Sequence, residues 1–208
     1  MIDIATQIGA IERSVTRTTR EDGGENVTVL ARRTYRAEPD DTWSALTDPA
    51  RVARWFMPLS GDLRVGGTFQ LEGNAGGEIL ECDRPNRFRV TFNGETSIVE
   101  VRLAPAADGM TALELEHTVP IEMAQSGAGA LWVGPGWDGG LLALGLYLDG
   151  VVAADPVAAA SSPEAIAFSA ESVKAWTSAI EASGTATAEQ LAEAVEMSMA
   201  QFAPGDSN

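Results

Sequence analysis

The stretch Gly136 to Gly150, GWDGGLLALGLYLDG, constrains the fold more than any other. Its residues Trp137, Leu141, Leu144 and Leu148 recur at steps of four, three and four, which sets them in one stripe along a helix. A stripe this apolar needs a surface to bury it. The preceding chain supplies one, because most of it alternates apolar and polar residues like strands of an antiparallel sheet. The expected class is α+β: an antiparallel sheet curved around one long C-terminal helix, with two short helices after the first long strand and extra helices behind.

In chain order, Ile4, Ile8 and Ile11 offer a short helical face, and RSVTRTTR, residues 13–20, reads as a strand. The turn EDGGE follows, where Gly23 and Gly24 accept the positive backbone angles of a hairpin, and the chain returns over Val27 to Arg36. Pro39 opens a helix carrying Trp43 and Leu46. Asp48 and Pro49 start a second, with Val52, Trp55 and Phe56, which Pro58 stops.

From Gly66 the segments GGTFQLEG, GGEILECD, RFRVTFNG, TSIVEVRLAP and MTALELEHTV read as five strands. Alternation assigns Phe69, Leu71, Leu80, Cys82, Phe88, Val90, Phe92, Val99, Val101, Leu103, Leu113, Leu115 and His117 to the inner side. It turns Arg87, Arg89, Glu100, Arg102, Glu114 and Glu116 to water. Residues 120–135, Gly-rich and without apolar period, read as a loop into the long helix.

Past Gly150 the composition shifts to Ala, Ser and Glu. Residues 155–208 carry eight acids against Lys174. Ser162 and Pro163 start one helix with Ile166, Val173, Trp176 and Ile180; Thr187 and Gln190 form a capping box for another with Leu191, Val195, Met199 and Phe202. Leu142 and Leu146 lie roughly opposite the main stripe of the long helix and also need cover, worth about 1.5–3 kcal/mol each. The tail helices are the expected cover, a second copy in a homodimer the alternative.

Thirty acidic and fourteen basic residues give a formal charge of −16, which argues against nucleic acid and against anionic membrane surfaces as partners. The one cysteine, Cys82, excludes an internal disulfide, and the N-terminus lacks a secretion pattern. A cytoplasmic protein is expected. One His and one Cys do not make a zinc site, so neither a metal nor a cofactor is expected. Gly134, Gly136 and Gly139 match G-x-G-x-x-G, yet no βαβ unit surrounds them. His117 has inward parity and reads as a polar residue of an inner wall. Glu78 with Glu95 reads as solvated rim rather than an acid–base pair, and no catalytic residue is assigned.

TWSALTDPARVARWF, GDLRVGGTF, GGEILECDRPNRFRVTF and GPGWDGGLLALGLYL occur in order over residues 27–148. This series resembles the Hsp90-ATPase-activator-like proteins of the START-like, or helix-grip, superfamily, and the AWTSAIEASGT tail resembles that of some bacterial members. The resemblance implies a cavity between sheet and helix that takes apolar or amphipathic small molecules. It divides the chain into an extension with the first hairpin strand (1–26), a helix-grip domain (27–153) and a helical segment packing on it (154–208). The expected ligand-binding residues are Trp55, Phe69, Leu71, Phe92, Val101, Leu115, His117, Trp137, Leu141 and Leu144. Binding without catalysis is the leading expectation. A co-chaperone-like interaction module and a cyclase or hydrolase using the same cavity are the alternatives.

Overall fold

The computed structural model describes residues 2–205. Helix α1 (Ile4–Gly9) is capped by Asp3, whose carboxylate accepts from the Thr6 N–H at 3.1 Å. Strands β1 (Glu12–Thr19) and β2 (Glu25–Tyr35) follow, joined by a turn with Gly23 at φ +84°. Then come α2 (Pro39–Thr47), α3 (Pro49–Val52), β3 (Leu59–Gly61), β4 (Thr68–Leu71), β5 (Gly76–Asp83), β6 (Arg87–Thr91), β7 (Ile98–Pro105) and β8 (Thr111–Pro120). Next are α4 (Ile121–Ala124), a 3₁₀ helix (Gly127–Trp132), α5 (Gly134–Leu148), α6 (Pro156–Ala159), α7 (Pro163–Ser183) and α8 (Ala188–Phe202). The eight strands form one sheet in the order β1-β2-β8-β7-β6-β5-β4-β3. The fold is the expected α+β helix grip, with its curved antiparallel sheet, long helix and additional C-terminal helices.

The chain divides into two compact units. The first comprises Met1–Ala31, Thr118–Gly140 and Ala160–Asn208. In it α7 lies on β1, and Val15, Val27, Phe168, Val173, Trp176 and Ile180 are buried, each large side chain contributing about 1.5–3 kcal/mol. Ser162 caps α7 by accepting from the Ala165 N–H at 3.2 Å, and Thr187 and Gln190 complete the capping box of α8. Gly134 allows α5 to approach Trp176, because a Cβ there would lie 2.6 Å from the indole ring.

Residues 120–135 are not the expected loop. Gly127 through Leu131 are buried in the 3₁₀ helix, with Ser198 Oγ donating to the Leu131 carbonyl at 2.8 Å. The segment packs by smallness rather than by periodicity: a Cβ on Gly127 would meet Thr185 Oγ1 at 1.8 Å, and one on Gly129 the Ala124 carbonyl at 2.5 Å. No apolar pattern signals packing of that kind.

The second unit comprises Arg32–His117 and Leu141–Ala159. Its inner sheet face buries Val90, Val99, Val101, Leu103, Leu113 and Leu115, and α5 adds Leu141, Leu142 and Leu144. Tyr35 ties the helix to the sheet by donating its hydroxyl to the Leu141 carbonyl at 3.0 Å. Trp43 of α2 meets Phe88 edge-on, centroids 5.8 Å apart.

On the outer face the charges form a cross-strand ladder. Arg87 bonds Glu100 at 2.5 Å and Glu81 at 2.9 Å, while Arg102 meets Glu100 at 2.8 Å, Glu114 at 2.7 Å and Glu116 at 3.0 Å. Glu100, expected in water, is buried under these guanidinium groups.

Two further expectations change at β5. The register shifts between Ile79 and Glu81, so Ile79 pairs with Val90 but Cys82 with Phe88; one extra residue reverses parity on either side of it. Glu78 therefore does not share a face with Cys82, pairs with Thr68 and is exposed. Cys82, expected to be a buried apolar residue, is exposed.

Candidate functional site

One buried polar pair on the inner face of the second unit joins β8 to the segment before β7. His117 on β8 is 5% exposed and its Nε2 lies 2.9 Å from the Oγ of Ser97, the residue before β7, itself 4% exposed. The Phe92 ring stands edge-on to the imidazole, centroids 5.7 Å apart at 67°. Burial pushes the His117 pKa down to about 4, so the ring is neutral at physiological pH and the pair is a dipole rather than a charge.

Registers extend this group into a row. The Phe92 N–H donates to the Ser97 carbonyl at 2.8 Å; Val90 pairs with both Val99 and Ile79, so two residues further along Gly77 stands opposite Phe92, and Gly77 pairs with Phe69. Directly opposed residues share a face. His117, Ser97, Phe92, Gly77 and Phe69 thus run across five adjacent strands.

Among the other expected residues, Val101, Leu115, Leu141 and Leu144 are buried on this wall, and Leu71 is half-buried on β4. Trp55 is half-buried, stacks on Phe56 with centroids 5.3 Å apart, and donates its indole N–H to the Ala45 carbonyl at 2.9 Å. That bond anchors it to α2. Trp137, also half-buried, belongs to the first unit.

Sequence reading missed Ser97, Arg33 and Tyr35. The last two continue the inward alternation of Val27, Val29 and Ala31 along β2, a signal that was present. Arg33 is 9% exposed, its guanidinium 5.4 Å from the centre of the Tyr35 ring. Its Nη2 would lie 2.8 Å from a Cβ on Gly145. Gly145 therefore serves close contact between helix and sheet, whereas a Cβ on Gly140 would have nothing within 4 Å.

A second buried polar cluster lies in the first unit. Asp138 of α5 is 0% exposed, and its Oδ2 accepts from Arg13 Nε at 2.8 Å, Ser172 Oγ at 2.5 Å and Trp176 Nε1 at 3.1 Å. Burial raises the Asp138 pKa, while the Arg13 charge and the three donors pull it back. An oxygen accepting three bonds, one from a guanidinium, suits a carboxylate. The cluster ties α5 to β1 and α7, and Asp138 Oδ1 and Arg13 Nη2 are buried in it without a hydrogen-bond partner among the described residues.

Comparison with known proteins places these features in context. The family model described as Activator of Hsp90 ATPase homolog 1-like protein matches residues 36–148. Two structures of CalU16 from Micromonospora echinospora align at 37% identity. The solution structure has a TM-score of 0.68, covering 84% of this chain and 97% of that one; the crystal structure has 0.66, covering 83% and 99%. DynU16, a protein of the dynemicin biosynthetic locus, aligns at 26% identity with a TM-score of 0.51, covering 59% of this chain and 47% of its own. A conserved protein of unknown function from Enterococcus faecalis, at 16% identity and TM-score 0.57, shares the fold. No functionally curated protein matches the chain. Among the described residues, no helix is long and apolar enough to cross a membrane.

Proposed function

Because the chain belongs to the Activator of Hsp90 ATPase homolog 1-like family, we propose that it binds a small amphipathic organic molecule against the inner sheet face of the second unit. The observation that carries this reading is the His117–Ser97 pair. A hydrogen-bonding pair buried at the end of an apolar wall costs desolvation, and a ligand with one polar end and an apolar body recovers that cost. Val101, Leu115, Leu141 and Leu144 supply the apolar surface, and the half-buried Phe69, Leu71 and Phe92 its accessible part. The occurrence of the relative DynU16 in a biosynthetic locus directs the search for the ligand toward products of such loci.

Binding of this kind requires no covalent step. The test is an amide-resolved NMR titration of the full chain with a panel of amphipathic small molecules. Saturable shifts at Phe92, Ser97, His117 and Leu144 are expected, and Leu144→Trp, which fills the wall, abolishes them in a folded protein. Saturable shifts confined to other residues, or unchanged binding in folded Leu144→Trp, would overturn the proposal.

A further inference from the structure

The chemistry of that row narrows the ligand, provided the binding reading holds. We infer that the ligand is a neutral aromatic alcohol, a phenol in the simplest case, whose hydroxyl donates to Ser97 Oγ beside His117 and whose ring lies between Phe92 and Phe69 over Gly77.

The polarity of the group follows from Ser97. Its hydroxyl and His117 Nε2 are 2.9 Å apart and either atom can be the donor, according to the tautomer. A hydroxyl has one proton and two lone pairs. If Ser97 donates to Nε2, both lone pairs of Oγ still accept; if Nε2–H donates to Ser97, one lone pair does. An incoming donor is satisfied in both cases, whereas an incoming acceptor is satisfied only in the second. The ligand group that fits without reference to tautomer is therefore a donor.

At this pair charge disfavours the other common polar head; the buried guanidinium of this unit, Arg33, stands on β2. A carboxylate brought to this pair would meet a neutral imidazole, because burial alone holds His117 near 4. Both partners are themselves buried, so the anion would lose its hydration for dipoles only, a loss far larger than that of a hydroxyl. The apolar part follows from the register. Gly77, where the Thr91 backbone of β6 leaves no place for a Cβ, contributes no side chain to the row, and the flanking Phe92 and Phe69 are half-buried. They stand on strands two apart, about 10 Å, which is room for one planar ring between two aromatic walls.

The experiment compares three probes of one shape at pH 7 on the full chain: β-naphthol, β-methylnaphthalene and β-naphthoate. On the wild type β-naphthol is expected to bind about tenfold more tightly than either, the effect of one buried hydrogen bond. In Ser97→Ala and His117→Leu that advantage over β-methylnaphthalene falls to about one; His117→Gln, which keeps a polar partner for Ser97, retains part of it. The wild-type comparison does not depend on how any variant folds. The inference is overturned if β-naphthoate binds as tightly as β-naphthol, or if the naphthol advantage survives in folded Ser97→Ala. Failure of all three probes to bind the wild type overturns the binding reading itself, and the inference with it. Equal binding of all three, still blocked by Leu144→Trp, leaves that reading standing and removes only the phenol.

Discussion

His117 and Asp138 are both buried ionisable groups, one in each unit, and the protein treats them in opposite ways. Asp138 receives three donors on one oxygen, an arginine among them. His117 meets a serine hydroxyl through Nε2 and the edge of a phenylalanine ring, with no charged group at either contact. A buried charge must be paired to be tolerated, and here the pairing is concentrated on Oδ2, while Asp138 Oδ1 and Arg13 Nη2 are buried without a hydrogen-bond partner among the described residues. A buried neutral ring costs less, and the serine beside it keeps hydrogen-bonding capacity. The first arrangement is a tie between chain segments; the second is the one on which the proposed binding rests.

The largest effect that tests this contrast is Asp138→Ala, which leaves the Arg13 guanidinium buried beside no carboxylate. Loss of about 3–5 kcal/mol in urea unfolding is expected, and a loss under about 1 kcal/mol would show that the cluster is not a tie. Next comes the pH dependence at His117. Its folded pKa, about 4, lies below the ordinary imidazole value of 6.5, so between those values the unfolded chain takes up a proton that the folded one refuses. The His117 contribution to stability is thus intact above about pH 6.5 and declines as pH falls, by about 3 kcal/mol near pH 4. His117→Gln should remove this component of the stability–pH curve; an unchanged curve would refute a neutral buried imidazole. A smaller effect is expected at the tail, where Thr187→Ala removes one half of the capping box and costs about 1 kcal/mol, read as a shift of the urea midpoint. The smallest is at the surface, where Arg64→Ala breaks an exposed pair with Asp62 and should change stability by about 0–1 kcal/mol; a larger change would blur the distinction between buried and exposed charge.

Much of the fold was legible because its signals are local. The stripe of α5, the meander from β4 to β8, the cap at Asp48 and the Thr187–Gln190 box depend on residues within a few positions of one another. What stayed hidden needed distant partners or one irregular residue. Three-residue β3 has no room for a pattern, and the shift between Ile79 and Glu81 leaves no mark in the text of β5. Asp138 stands in step with Gly134, Leu142 and Leu146 on the second face of α5, the face for which the tail was the expected cover. Trp176 of α7 meets that face at Gly134 and Asp138, while Leu142 is buried and Leu146 half-buried. The partner Arg13, however, is 125 residues away and no spacing rule reaches it. Of the candidate site, parity placed His117 inward, but its meeting with Ser97, twenty residues earlier, depends on the register of two neighbouring strands.

The first unit is assembled from three stretches, with Arg13 meeting Asp138 and Leu131 meeting Ser198 across 67 residues. During synthesis a ribosome has already released β1 and β2 long before α7 and α8 exist to cover them. Loop closure over such separations is slow relative to local pairing. Val15 and Val27 thus lack the cover of Phe168, Val173 and Trp176 until the tail is made, whereas the second unit needs only Arg32–His117 and Leu141–Ala159. Until α7 and α8 are made, β1 and β2 lack the apolar cover they have in the folded chain, and exposed strands of this kind are prone to aggregate.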